Sequence, residues 1–216
     1  MSHPQIFVFD SLAVAYDAWF EQEGRLVFAS ELEALRQIMP SLPKPWIEIG
    51  AGSGRFAQAL EISIGLDPSV ELLKMARNRS VNVFLGVGEE APFKDHTFGT
   101  VFLIVALCFV DSPRKVLAEA ARLLKDEGKI VLGLVLKGSP WGQLYQTKKE
   151  REHRFYRHAT FYSYGEIDML LNQTGFSIEE VVSTLFQNPG KVNHVELPQQ
   201  GFSRDAGFIV IIGGKG

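Results

Sequence analysis

A doubly wound α/β fold on a mostly parallel sheet is predicted by three observations. Apolar strand-like runs alternate with helix-like runs through the middle of the chain, residues 101–110 are apolar at every position, and a glycine-rich turn follows the first strand of the series. Taken in order, "PWIEIG" (45–50) reads as a short buried strand and "RFAQALE" (55–61) as a short helix. "ISIGLD" (62–67) is the second strand, and "SVELLKMARNR" (69–79) carries Val70, Leu73 and Ala76 near helical spacing. "NVFLGV" (82–87) is the third strand. "TVFLIVALCFV" (100–110) is the fourth, apolar on both faces as a central parallel strand must be. "SPRKVLAEAARLLKDEG" (112–128) reads as a helix opened by Ser112 and Pro113 and closed by Gly128. "KIVLGLVL" (129–136) is the fifth strand. "YGEIDMLLNQTGF" (164–176) is a helix ending at Gly175, and "SIEEVVSTLF" and "AGFIVIIGG" are two closing strands. That makes seven strands, preceded by one or two helices in "AYDAWFEQEGRLVFASELEALRQIM" (15–39).

The bulk composition limits the function classes. A chain of 216 residues, 46% hydrophobic and 22% charged, suits a single domain over 1–216. Its net charge of −3 argues against binding nucleic acid through a broad basic surface. One cysteine, Cys108, rules out an intrachain disulfide, and no metal site is expected. The opening residues lack a basic n-region and a cleavable apolar core, which predicts no signal peptide. The longest apolar run is about half the ~20 residues of a membrane span. A cytoplasmic protein without a membrane partner is the expectation.

In "WIEIGAGSGRF" (46–56) glycine stands at 50, 52 and 54, so backbone must approach something closely. The dinucleotide fingerprint G-x-G-x-x-G would need glycine at 55, which is Arg55, and a phosphate-binding P-loop would need a lysine that is absent. Asp67, 17 residues past Gly50, falls at the end of the second strand, where a carboxylate can accept both hydroxyls of a ribose. Together they suggest an adenosine-like ligand without a pyrophosphate. The same residues also fit a purely structural role, in which the glycines allow tight strand-to-helix packing and Asp67 caps the next helix.

Four stretches in order resemble the class I S-adenosylmethionine-dependent methyltransferases. "EIGAGSGRF" is similar to their first motif and "GLDPS" to the acidic motif after it. "GEEAPFKDHTFGTV" (88–101) and "LKDEGKIVLG" (124–133) resemble the segments before their fourth and fifth strands, and "FDSLAVAYDAWF" resembles the opening helix of the small-molecule branch that contains quinone-ring methylases (methyltransferase type 11). The resemblance implies a Rossmann-like fold with helices on both faces, an antiparallel last strand and an N-terminal helical lid. It divides the chain into N-terminal helices (1–42), a cofactor-binding core (43–137), a substrate cap (138–164) and a C-terminal helix with strands (165–216). It implies that Glu48, Gly50, Ala51, Gly52 and Gly54 hold the methionine part of the cofactor. Asp67 would hold the ribose, Pro68 would lie against the adenine, and Gly88 and Glu89 would sit at the adenine edge. Leu107 would contact the cofactor backbone and Tyr16 would close over it. S-adenosyl-L-homocysteine would be the product. Two positions depart from the family pattern: Val87 and Gly99 stand where many relatives carry aspartate.

Methyl transfer from a sulfonium is an in-line displacement that spreads existing charge, so positioning and exclusion of water supply most of the gain and no catalytic residue is required. The acceptor is less legible. "LCFVDSP" lacks the [DNS]-P-P-[FYW] motif of nucleobase amino-methylases, and Cys108 does not follow the proline that cytosine C5 methylases use. Cys108 falls at the predicted end of the fourth strand, where it either faces the acceptor or fills the core. In 141–164, aromatic residues including Tyr145 and Tyr156 are placed to hold a flat or cationic substrate, with His158 as a candidate base. A small-molecule methyl acceptor is therefore the expected partner, with the chain a monomer or homodimer. Two alternatives stand beside it. One is a non-catalytic cofactor-binding or regulatory protein. The other is an RNA methyltransferase acting through the basic 148–158 segment, whose lysines and arginines also fit a solvated helix face.

Overall fold

The alternating pattern resolves into discrete elements in the computed structural model, which describes residues 4–216, with side chains from residue 8 onward. In chain order they are α1 (Pro4–Trp19), α2 (Arg25–Ile38), β1 (Trp46–Ile49), α3 (Arg55–Ala59), β2 (Ile64–Asp67), α4 (Val70–Asn78), β3 (Asn82–Leu85), β4 (Phe98–Ile104) and α5 (Pro113–Leu123). Then follow β5 (Leu124–Leu134), α6 (Pro140–Glu150), α7 (Tyr164–Gln173), β6 (Phe176–Thr184), β7 (Gln199–Gln200) and β8 (Phe208–Lys215). The strands form one sheet in the order β3-β2-β1-β4-β5-β8-β6-β7. β1 to β5 pair in parallel, and β8 runs antiparallel to both β5 and β6. The seven expected strands are all present. The eighth, β7, is a two-residue addition on the edge next to β6.

Strand alternation sorts the core into two layers. From β4, Val101 and Leu103 pack with Val116, Leu117 and Ala120 of α5 and with Ile167 and Leu171 of α7. Phe102 and Ile104 point the other way, toward Leu35 and Ile38 of α2, Phe56 of α3 and Trp141 of α6. All seven residues of β4 are buried, as expected of a central strand covered on both faces.

Two boundaries differ most from the sequence reading. The fourth strand stops at Ile104 and does not run to Val110. Val105 takes φ +53 while its N–H is held by the Gly133 carbonyl at 2.8 Å, and Leu107–Phe109 form a 3-10 turn that leads the chain out of the sheet. The fifth helix stops at Leu123, so Gly128 lies inside β5 and caps nothing. Leu124 is fully buried and pairs with Phe98, which makes it the first residue of the strand. By contrast Ser112 and Pro113 do open α5, and Gly175 at φ +84 follows α7 as read. No helix among the described residues is long and apolar enough to cross a membrane.

Candidate functional site

The order of strands reverses between β1 and β4, since β2 and β3 lie to one side of β1 and β5 lies beyond β4. Ligands of doubly wound sheets sit at the carboxyl ends of strands at such a point. The glycine loop leaves β1 there, with Gly50, Gly52 and Gly54 at φ +77, +52 and +76. The three glycines serve different needs. A Cβ on Gly50 would lie 2.5 Å from Cβ of Ala106, and one on Gly54 would lie 2.9 Å from the backbone of Ala76 on α4. Those two satisfy packing. A Cβ on Gly52 would meet only Tyr16 at 3.7 Å and Leu72 at 3.8 Å, so it would fill the concavity between loop and lid. Packing therefore accounts for glycine at 50 and 54, and it does not account for glycine at 52.

Asp67 ends β2 and ties this loop to the next helix. Its Oδ2 accepts the Gly52 N–H at 2.8 Å, and its Oδ1 accepts the Ser69 N–H at 2.8 Å. Burial pushes its carboxyl up to about 6 against the pull of those two bonds. Each carboxylate oxygen keeps a further lone pair for a ligand hydroxyl. Ser69, not Asp67, is the true cap of α4, accepting from the Leu72 N–H. Beneath the loop Glu48 is 1% exposed, and its Oε2 has no hydrogen-bond partner among the described residues. Burial, then the proximity of Asp67, holds Glu48 well above the usual carboxylate range.

Helix α1 lies over the loop. Tyr16 packs edge-on against Phe9, whose ring meets Phe109 in the same way. Asp17 clamps the helix in place, accepting from Arg55 at 2.9 and 2.6 Å and from Arg79 at 2.8 Å, while Arg79 also donates to the Ser53 carbonyl of the loop. Partial burial of Asp17 opposes ionisation, but hydrogen bonds from Arg55, Ser53 and Arg79 outweigh it and bring the carboxyl down to about 2. A depressed folded value makes this a contribution to stability that is present above the ordinary aspartate range and is lost as pH falls toward 2. Asp17→Ala should therefore loosen the lid at neutral pH. We expect S-adenosylhomocysteine to dissociate roughly fivefold faster by stopped-flow, the equivalent of about 1 kcal/mol for a partly buried ion-pair network. An unchanged off-rate would mean the clamp does not hold the lid.

Two cavities flank this lid. The smaller, about 110 Å³, is lined by Gly50, Gly52, Asp67, Pro68, Gly88 and Glu89 among others. The larger, about 350 Å³, is lined by Cys108, Tyr145, Tyr156, His153, Phe155 and Glu31 among others. Phe9, Tyr16, Val105 and Phe109 line both, so the cavities meet at these four side chains.

Most of the expected residues converge. Tyr16, Gly50, Gly52, Asp67, Pro68, Gly88 and Glu89 line the smaller cavity, and Cys108, Tyr145 and Tyr156 line the larger. Ala51 is buried behind the loop and Gly54 is packed against α4. Leu107 lines neither cavity. The 3-10 turn after β4 rotates it, fully buried, into the layer with Val116 and Leu117. At this strand end Val105 and Ala106 line the smaller cavity instead. His158 also lines neither cavity, because the turn Tyr156–His158 puts Tyr156 inward, and His153 is the histidine at the larger cavity. The Cys108 thiol is pushed up to about 12 by burial and stays protonated, so it is no nucleophile. Val87 lines the smaller cavity, and neighbouring Glu89 has its Oε1 engaged by the Ser112 N–H at 3.0 Å. Gly99 has a packing reason, since any Cβ there would overlap the Pro43 carbonyl.

The basic segment is largely engaged at home. Lys148 Nζ lies 5.6 Å and 5.7 Å from the rings of Tyr145 and Tyr156, Lys149 donates to the Ala159 carbonyl, and Arg154 stands over Phe155. Sequence reasoning missed Phe9, Phe109 and Glu31. Phe9 precedes Tyr16 by seven residues, two helical turns on one face. Glu31 falls four residues after Val27 and four before Leu35, on the apolar face of α2, where a glutamate is out of pattern.

Comparison with known proteins agrees with this geometry. The family profile described as "Methyltransferase domain" matches residues 47–132. A solved Thermotoga maritima structure, named as an S-adenosylmethionine-dependent methyltransferase and possible histamine N-methyltransferase, is 37% identical with a TM-score of 0.90, over 97% of this chain and 99% of that one. A Methanocaldococcus jannaschii protein without a described function is 38% identical over 94% of this chain and 97% of its own length. The demethylmenaquinone methyltransferase of Renibacterium salmoninarum is 32% identical over 40% of this chain and 39% of its own.

Proposed function

This chain belongs to the S-adenosylmethionine-dependent methyltransferases, and we propose that it methylates a small-molecule acceptor held in the larger cavity, as a single domain spanning 1–216. One observation carries this reading: two cavities of different character meet at Phe9, Tyr16, Val105 and Phe109. The chain is a methyltransferase, and the residues of the smaller cavity fit the nucleoside cofactor on their own chemistry. Gly52 leaves a concavity, Asp67 offers carboxylate lone pairs, and Pro68 and Gly88 line the same cavity. When bound there, the cofactor supplies an electrophilic methyl group on a sulfonium. Asp67 would accept the ribose hydroxyls, with Gly88 and Glu89 at the base and Glu48 supporting the loop from beneath.

The chain's own contribution is to orient and to exclude water. Tyr16 and Phe9 close the junction from α1, and Phe109 and Val105 close it from the sheet side. An apolar junction favours a reaction that disperses charge, and no general base has to be posted there. Substrate cap 138–164 supplies Tyr145 and Tyr156, stacked with centroids 4.5 Å apart, as a wall for the acceptor. Neither the non-catalytic reading nor the RNA-directed one gains a supporting observation. The T. maritima relative's name makes nitrogen acceptors the first to try.

The test is label transfer from methyl-labelled S-adenosylmethionine to a panel of amines, phenols and quinols, with mixed RNA as a parallel acceptor. Transfer to a panel member, abolished by filling the larger cavity with Cys108→Trp, is the expected outcome. Label found only in RNA would overturn the small-molecule reading.

A further inference from the structure

Glu31 is an acidic residue that nothing in the fold requires. It lies on α2 at 5% exposure, on the wall of the larger cavity, and it accepts no hydrogen bond from any described residue. Buried carboxylates are normally paired, because a lone charge taken out of water is strongly disfavoured. Of the other buried carboxylates, Asp67 holds Gly52 and Ser69, Glu196 accepts from Phe186 and Gln187, and only Glu48, beneath the glycine loop, also keeps an oxygen without a partner among the described residues. Glu31 instead borders an open space of about 350 Å³ whose walls include Trp19, Phe20, Phe56, Tyr145, Tyr156 and Phe161.

We propose that Glu31 is the counter-ion for a positively charged nitrogen on the acceptor, and so the residue that selects cationic amines over neutral molecules of the same shape. The proposal rests on the acceptor reading of the larger cavity and deepens it. An ammonium or protonated ring nitrogen satisfies the two needs of this chamber together. It pairs with the orphan carboxylate, and it is attracted by the negative faces of aromatic rings. An anion or a phenolate would meet the carboxylate with no local cation deep in the pocket. Lys148 and Arg154 also line the chamber, but Arg154 is exposed and Lys148 is half-buried, and both already stand over rings of the cap. The interaction is an ion pair, and no methyl group moves in it.

The pairing leaves a protonic signature. Burial pushes the Glu31 carboxyl up to about 8, so at pH 7 it is mostly protonated in the empty chamber. The groups around it are Tyr145 and Tyr156, both pushed well above their ordinary range by burial, with Tyr16 and Tyr162, also raised by burial, and Cys108, His153, Lys148, Arg154 and Glu23 elsewhere on the wall. Burial and the nearby Lys148 and Arg154 hold His153 low, so it is neutral at pH 7 and does not supply the proton. A cationic ligand pairing with Glu31 must displace its proton into the buffer.

The experiment is calorimetric titration of the full chain, with and without S-adenosylhomocysteine, using phenethylamine and histamine against the neutral 2-phenylethanol, in two buffers of different ionisation enthalpy at pH 7. We expect the amines to bind at least tenfold more tightly than the alcohol and to release most of one proton. Glu31→Gln, close in shape, should abolish both effects and leave S-adenosylhomocysteine affinity unchanged, while Glu33→Gln on the same helix should change nothing. Equal binding of amine and alcohol, amine preference surviving in Glu31→Gln, or binding of none of them to the wild-type chain would each overturn the proposal. Failure of S-adenosylhomocysteine to bind would count against the methyltransferase reading instead. That outcome is read separately, because the amine titrations are also made in its absence.

Discussion

Asp67→Ala is expected to weaken S-adenosylhomocysteine binding by at least tenfold, and by up to about a hundredfold, while the chain still folds. A hydrogen bond to a charged acceptor is worth about 1.5–3 kcal/mol, and each 1.4 kcal/mol is a factor of ten. The substitution removes the carboxylate proposed to accept the ribose hydroxyls and also releases the Gly52 N–H that it holds. Folding should survive because the change also removes a buried carboxylate whose ionisation is itself unfavourable, as its value of about 6 records. The sign of that shift can be checked. A carboxyl raised in the folded state contributes stability that is complete below the unfolded value near 4 and is lost as pH rises through about 6. Ligand binding runs the other way: affinity should fall below pH 6 as Asp67 protonates, and this dependence should vanish in Asp67→Ala. Calorimetry at several pH values and a circular-dichroism melt measure both. Unchanged affinity in the variant would remove the ribose assignment.

Legibility in the sequence followed the physics of each element. The central strand β4 is buried at every position and stands out as a run over residues 101–104, and residues 130–134 of β5 beside it are buried and free of charged residues. The loop was legible because glycine is needed at three left-handed positions in a row of alternate residues. Where β4 ends was not legible. Residues 105–110 stay apolar because they line cavities and core after leaving the sheet, and hydrophobicity records burial, not hydrogen-bond pairing. The same ambiguity misplaced Leu107 and hid the end of α5, where Leu124 is as buried in a strand as it would be in a helix. The smaller cavity is lined largely by the glycine loop and the residues around Asp67, which are close in sequence and could be read. The larger cavity is assembled from α1, α2, the turn after β4 and residues 138–164, which meet only in the folded chain, so neither His153 nor Glu31 stands out from the sequence as part of its wall.

Gly50→Ala should be the most destabilising small substitution in the loop, by about 2–5 kcal/mol. Two effects add. A residue with a Cβ held in the left-handed region costs about 1–2 kcal/mol, and overpacking a tight contact costs a further ~1–3 kcal/mol. Gly50 sits at φ +77, and its Cβ would lie 2.5 Å from Cβ of Ala106, far inside the ~3.5–4.0 Å of a normal carbon contact. Neither partner can move freely. The Gly50 N–H is bonded to the Leu66 carbonyl at 2.8 Å, and Ala106 follows the turn that Val105 anchors to Gly133. For a chain of this size the loss corresponds to a melting point lower by about 5–15 °C. The two effects can be separated. Ala106→Gly removes the overlapping carbon and leaves the backbone strain, so Gly50→Ala with Ala106→Gly should recover roughly half of the loss relative to Gly50→Ala alone. Recovery of the whole loss would mean that the left-handed backbone costs nothing here. No recovery would mean that Ala106 is not the obstacle, and the close approach of the β1 loop to the strand end after β4 would have to be abandoned as the reason glycine stands at 50.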